Sequence, residues 1–250
     1  MGIIQGISYN LRGLRLALAT PKLLFWGVLR FIIVVFFTIL GAIFVFAHYQ
    51  EILNIAWTRP ESPWVAWSWH LLSWILSLFL LGISAVVSYL LAQLVFGVII
   101  MDLLSRITEI QVTGRATEAS GVTLLKQFSY LIAQEIPRTI LPVLISLLIM
   151  IAGWLTPLGP LVAGLSSAGA AVFLAWDNTD LVPARRLVPF RKRLTFLLRS
   201  LRFHLGFGVL FLIPFLNVLF LSFAPVGATL YWIDRERAEA QEGRKEVISS

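Results

Sequence analysis

Thr20, Pro21 and Lys22 stand in consecutive positions ahead of Leu23, and together they carry the physical parts of an oxyanion site. Thr20 suits an N-cap and Pro21 the first helical position. A helix beginning there offers free backbone N–H groups, a positive dipole end and a cation within one turn. The same residues also make an ordinary capped helix start with a snorkelling lysine. Arg30 lies about two turns further on, inside an apolar run, and is costly there unless it reaches the headgroups, pairs, or lines an anion path. Arg15 lies upstream, in Gly13-Leu14-Arg15. Asn217 sits beside Pro214 at the break of a later apolar stretch, where it either caps the returning helix at Val218 or faces a substrate path. Pro157 and Gly159 interrupt another apolar stretch in the same way.

Other chemistries lack their residues. His48, His70 and His204 share no helix spacing, which speaks against a metal site. Cysteine is absent, which excludes disulfides and thiolate catalysis. No glycine-rich phosphate loop, nucleophile elbow or paired-carboxylate signature is present, so neither ATP-driven pumping nor hydrolysis is supported. The chain is expected to need no cofactor and not to be an enzyme. Asp102 and Arg106 form a helical i, i+4 ion pair, and Glu135 and Arg138 read as caps and anchors around Pro137.

The elements that must position these residues are those of an all-α integral membrane protein. Of 250 residues 58% are apolar and 13% charged, and the mean hydropathy is +0.87. A soluble domain carries about 45–50% apolar and 25% charged residues. Residues 1–19 repeat apolar side chains at Ile3, Ile7, Leu11, Leu14 and Leu18, the stripe of an amphipathic helix lying in the interface. Two long spans follow, 21–50 and 70–102, the second uncharged from Leu71 to Met101 and about 46 Å long as a helix. Between them Trp57, Trp64, Trp67 and Trp69 form a headgroup-level aromatic belt.

Two further apolar stretches, 137–176 and 205–233, are split near Pro157 and Pro214. Each half reaches only about 18–24 Å against a hydrocarbon core of about 30 Å, so both are predicted to dip in and return as re-entrant hairpins. An interfacial amphipathic segment, 186–203, connects them, and 235–250 reads as a charged tail with a frayed helix end. All of 1–234 is one membrane domain.

The formal charge is +7, and the bases sit beside apolar segments, which favours anionic lipid headgroups over nucleic acid as partners. Residues 177–204 hold Arg185, Arg186, Arg191, Lys192, Arg193, Arg199 and Arg202 against Asp177 and Asp180. The loop 51–70 has one arginine and two glutamates, so the basic side is cytoplasmic and both termini are expected there. Reading each broken stretch as one kinked span would instead put the basic segment outside.

Several stretches are similar to one family. Leu212-Ile213-Pro214-Phe215-Leu216-Asn217, then Val226-Gly227-Ala228-Thr229-Leu230-Tyr231-Trp232, resembles the C-terminal signature of the CysZ-type sulfate permeases, within the etoposide-induced-protein-like superfamily. Ile136-Pro137-Arg138, Val188-Pro189-Phe190-Arg191 and Asp102-Leu103-Leu104 resemble further segments of it. The resemblance implies a bacterial inner-membrane oligomer with two long spans and two pairs of half-penetrating helices. It implies sulfate uptake without ATP, feeding sulfate assimilation and cysteine biosynthesis. Family members bind sulfate at Gly-Leu-Arg-Arg directly after the proline that opens the first long helix. Here Pro21 is followed by Lys22-Leu23-Leu24-Phe25, so Lys22 is the cation in the matching place. The expected anion site is Thr20, Lys22 and Leu23 with Arg15 and Arg30, and the expected pathway breaks are Pro214, Asn217, Pro157 and Gly159. The competing reading is a non-transporting scaffold whose basic segment organises lipid.

Overall fold

The computed structural model describes residues 2–48, 51–52, 63–92, 96–116, 159–213 and 216–249, with isolated positions between 133 and 153. The described residues are helical, with no strand among them. In chain order the helices are α1 (Ile3–Ala19), α2 (Pro21–Ala47), α3 (Pro63–Ala92), α4 (Val98–Thr113), α5 (Gly159–Thr179), α6 (Leu181–Arg185), α7 (Phe190–Arg199), α8 (Leu201–Gly208) and α9 (Leu216–Ser249). A 3-10 turn, Val209–Leu212, extends α8. Among the described residues, four segments are long and apolar enough to cross a membrane: Pro21–Ala47, Trp67–Ala85, Gly159–Thr179 and Leu216–Arg244.

Two compact units divide the chain, one of residues 30–97 and one of 1–29 with 98–250. In the first, Gly41 of α2 faces Ser84 and Ser88 of α3, small residues that let two apolar helices approach closely. Large side chains on both helices, Phe36, Phe44, Trp74 and Phe79 among them, are exposed, as a lipid-facing surface requires.

The second unit is built around an aromatic row on α8. Phe203, Phe207 and Phe211 recur at helical spacing and pack with Phe220 and Tyr231 against Ala175 of α5 and Ala224 and Ala228 of α9. Large rings on one helix face small residues on its neighbours, which fills the space without voids. Helix α1 docks on this core backbone to backbone. A methyl group at Gly6 would overlap the Phe203 carbonyl, and one at Gly13 would overlap the backbone of Gly227. Between those two crossings Asn10, buried, donates its Nδ2–H to the Phe207 carbonyl at 2.7 Å.

Four expectations about boundaries and packing are corrected. The span 70–102 has other bounds and is not regular throughout. Helix α3 is already formed at Pro63 and is described to Ala92, residues 93–95 lie outside the described residues, a π-type turn occupies Phe96–Gly97, and α4 carries Asp102 in its interior. The interfacial segment 186–203 breaks at Ser200, where α7 and the segment Leu201–Leu212 meet at 80°. The arm after Pro214 does not stop at 233 but continues as one helix to Ser249, carrying Pro225 within it. The charged tail is therefore the end of α9. Finally, α1 is a packed element: its buried face is Gly6, Asn10, Gly13 and Ala17, while Ile3, Leu11 and Leu18 point outward. Pro214, Pro157 and most of the stretch 137–158 lie outside the described residues.

Candidate anion-binding surface

The basic segment 177–204 folds into three short elements, and burial sorts its charges into two kinds. Helix α6 ends with Leu187 in the left-handed region (φ 58°), its N–H bonded to Ala184 O, and the Val188 N–H reaches back to Pro183 O. That turn leaves Arg185 and Arg186 on a surface held by acids from other elements. Arg185, fully buried, donates to Asp102 (3.2 Å), Ser105 (3.2 Å) and Glu109 (2.5 Å), all on α4. Arg186 donates to the other Glu109 oxygen at 3.0 Å and to Glu236 of α9. Arg106 closes the group on Asp102 at 2.7 Å, and Thr229 of α9 reaches Ser105 Oγ at 2.8 Å.

Three arginines thus face three carboxylates in one network. Partial burial works against the charge on Arg186, but its bonds to Glu236 and Glu109 outweigh that, and its pKa lies above the usual value. Arg193, also buried, pairs with buried Asp180 and stacks on Phe190. These bases fix α6 and α7 to the core. Their charge is met by these carboxylates.

The remaining bases face outward. Arg191, Lys192 and Arg199 lie on the exposed side of α7, together with Thr195. With Phe196, Ser200 and Arg235 of α9 they line an open groove of about 820 Å³. Arg235 is held in place: its guanidinium lies 5.0 Å from the Trp232 ring and 5.1 Å from the Phe196 ring, and its Nε donates to Glu239 at 2.8 Å. Four cations line one concavity, and among the described residues Glu239 balances one of them. Such a surface concentrates anions.

The expected anion-site residues are placed as follows. Thr20 is the single residue between α1 and α2; it is buried, and its carbonyl accepts the first bond of α2 from Leu24 N–H at 2.9 Å. Lys22 is exposed on the opening turn of α2, and Leu23 beside it is wholly buried. Arg15 is exposed and lines a separate shallow groove along α1 with Arg12 and Leu11; Lys22 is not part of that lining. Arg30 is buried and belongs to the other compact unit. Gly159 opens α5 and is exposed. Asn217 Oδ1 accepts the Val218 N–H at 2.8 Å, and the Asn217 N–H donates to Ile213 O at 2.9 Å, the geometry of a helix-start residue. Among the described residues no cluster of three or more His, Cys, Asp or Glu could hold a metal ion.

Sequence reasoning did not connect Asp102, Glu109 and Glu236 to the arginines of α6. The residue types were visible, but the pairs are 50 to 83 positions apart and only packing unites them.

Apolar helices of spanning length, with an internally neutralised polar cluster and surplus positive charge at one surface of the unit that holds it, define a multi-pass membrane protein. Residues 9–222 match the family described as sulfate transporter CysZ/etoposide-induced protein 2.4, and the chain belongs to that family. A comparison with curated proteins finds no match.

Proposed function

We propose that this protein is a permease or channel for sulfate or a related oxyanion, working without ATP in the cytoplasmic membrane of a bacterium and supplying sulfate assimilation. Membership of the family over residues 9–222 carries this reading. The geometry supports it at the start of α2, where Lys22 is exposed in the first turn of a 27-residue apolar helix. Backbone N–H groups and an ammonium at that point hold a tetrahedral anion by charge-assisted bonds. Thr20 and Leu23 fix the turn, and Arg15 adds positive potential upstream.

In this reading the two Pro-interrupted stretches turn back within the bilayer, both termini are cytosolic, and copies of the chain assemble as a homo-oligomer. No nucleic acid, metal or cofactor takes part. Radiolabelled sulfate flux into proteoliposomes tests the proposal. Uptake should exceed that of empty vesicles, and Lys22→Ala, by removing a charge-assisted bond worth about 1.5–3 kcal/mol, should lower it at sub-saturating sulfate by about tenfold or more. Uptake equal to that of empty vesicles would overturn it.

A further inference from the structure

The groove between α7 and α9 is lined by none of the residues proposed to hold sulfate at α2, and its shape and surroundings fit a different anion. We infer that it binds the phosphate headgroup of an anionic membrane lipid. The first reason is orientation. Helix α7 meets the apolar segment Leu201–Leu212 at 80°. If that segment enters the bilayer, α7 must lie nearly flat along the interface, at the depth of lipid phosphates.

The second reason is the distribution of side chains on α7. Arg193 and Leu197 face the protein, while Arg191, Lys192, Thr195 and Arg199 face outward. Next to that basic side stands Leu198, 62% exposed, and beyond Ser200 stands exposed Leu201. A free oxyanion has no use for exposed leucines beside its cations. A lipid has: its phosphate meets the bases while its acyl chains cover the leucines. The third reason is size. At about 820 Å³ the groove is as large as sites for drug-sized ligands. Its donors spread over two helices and do not converge on one small ion.

Arg235 completes the surface from α9. Its stacking on Trp232 and Phe196 fixes the guanidinium plane, its Nε donates to Glu239, and the Tyr231 hydroxyl is a second partner. A phosphate in the groove competes with Glu239 for this arginine. Removing that carboxylate should therefore strengthen lipid binding, a gain that misfolding cannot mimic.

The test is native mass spectrometry of the full chain, delipidated in detergent and titrated with phosphatidylglycerol, phosphatidylcholine or sodium sulfate. The wild-type chain should retain phosphatidylglycerol in preference to phosphatidylcholine. At about one factor of five per cation near an anionic lipid, the Arg191→Gln, Lys192→Gln, Arg199→Gln triple variant should bind about a hundredfold more weakly. Glu239→Gln should bind several-fold more tightly. A charge-matched control neutralising exposed Arg115, Arg237 and Arg244 should bind as wild type. The inference is overturned if the triple variant equals wild type, if Glu239→Gln brings no gain, if the control falls as far as the triple variant, or if phosphatidylcholine binds equally. Displacement of the lipid by sulfate at equal concentration would also overturn it, by making the groove a free-oxyanion site. None of these readouts depends on sulfate flux, so the inference stands or falls apart from the permease reading.

Discussion

Arg185 is the residue on which the polar interior turns. It is wholly buried, and three side chains of α4 receive its donors. A buried ion pair contributes little net stability over an apolar substitute, but breaking one by removing a single partner costs about 3–5 kcal/mol because the other charge is stranded. Arg185→Met should therefore lower the melting temperature sharply, read from tryptophan fluorescence in detergent. Adding Glu109→Gln should recover part of the loss, because the stranded carboxylate is then neutral. If the double variant melts lower than Arg185→Met by the full cost of a second independent lesion, the two residues do not act as a pair. Arg186 bridges Glu109 to Glu236 and so ties α4 to α9 through the same carboxylate.

At the scale of elements, α1 is held by missing side chains. Gly6 and Gly206 lie where α1 crosses α8, and Gly13 and Gly227 where it crosses α9. Overpacking a tight contact costs about 1–3 kcal/mol, and here the obstacle is backbone, which cannot swing aside. Gly6→Val should release α1 and speed trypsin cleavage at Arg12 and Arg15 by about tenfold or more, whereas Ile4→Val, on the exposed face, should leave it unchanged. Equal cleavage of both variants would show that α1 does not depend on that crossing.

The same helix shows what sequence could and could not convey. Its outward stripe of Ile3, Leu11 and Leu18 is readable as hydrophobic periodicity. The face that does the packing, Gly6, Asn10, Gly13 and Ala17, has the same period but registers as a lack of hydrophobicity. The break near Asn217 was legible because proline removes a helical donor. The break at Ser200 was not, because Arg199 and Arg202 continue a charge pattern across it, and the π-type turn at Phe96–Gly97 was hidden in an uncharged run. Cations of the candidate groove were legible by type, but which of them are spent on Asp102, Glu109 and Asp180 depends on the assembled core.

On the scale of the whole molecule, one turn or so of α9 gathers the polar ends of the surrounding helices. Asp234 accepts from Tyr9 at 3.1 Å and Arg12 at 3.0 Å, both on α1. Trp232 Nε1–H donates to the Thr179 carbonyl at 2.7 Å, and Glu236 takes Arg186. Arg237 reaches the Val112 carbonyl at the end of α4 at 3.3 Å. A short stretch of one helix cannot sit on both sides of a bilayer about 30 Å thick. The N-terminal helix, the end of α4, the basic segment and the tail of α9 must therefore share one face, and their surplus of Lys and Arg is what the proposed cytosolic placement of that face calls for. The native chain has no cysteine, so single substitutions report cleanly. Ser8→Cys, Thr195→Cys and Gln241→Cys, all at exposed positions, should each react with an impermeant maleimide in inverted vesicles and stay unlabelled in spheroplasts. If Thr195→Cys is labelled from the side opposite to Ser8→Cys, the polar contacts around Asp234 do not exist in the membrane, and the basic segment has crossed it.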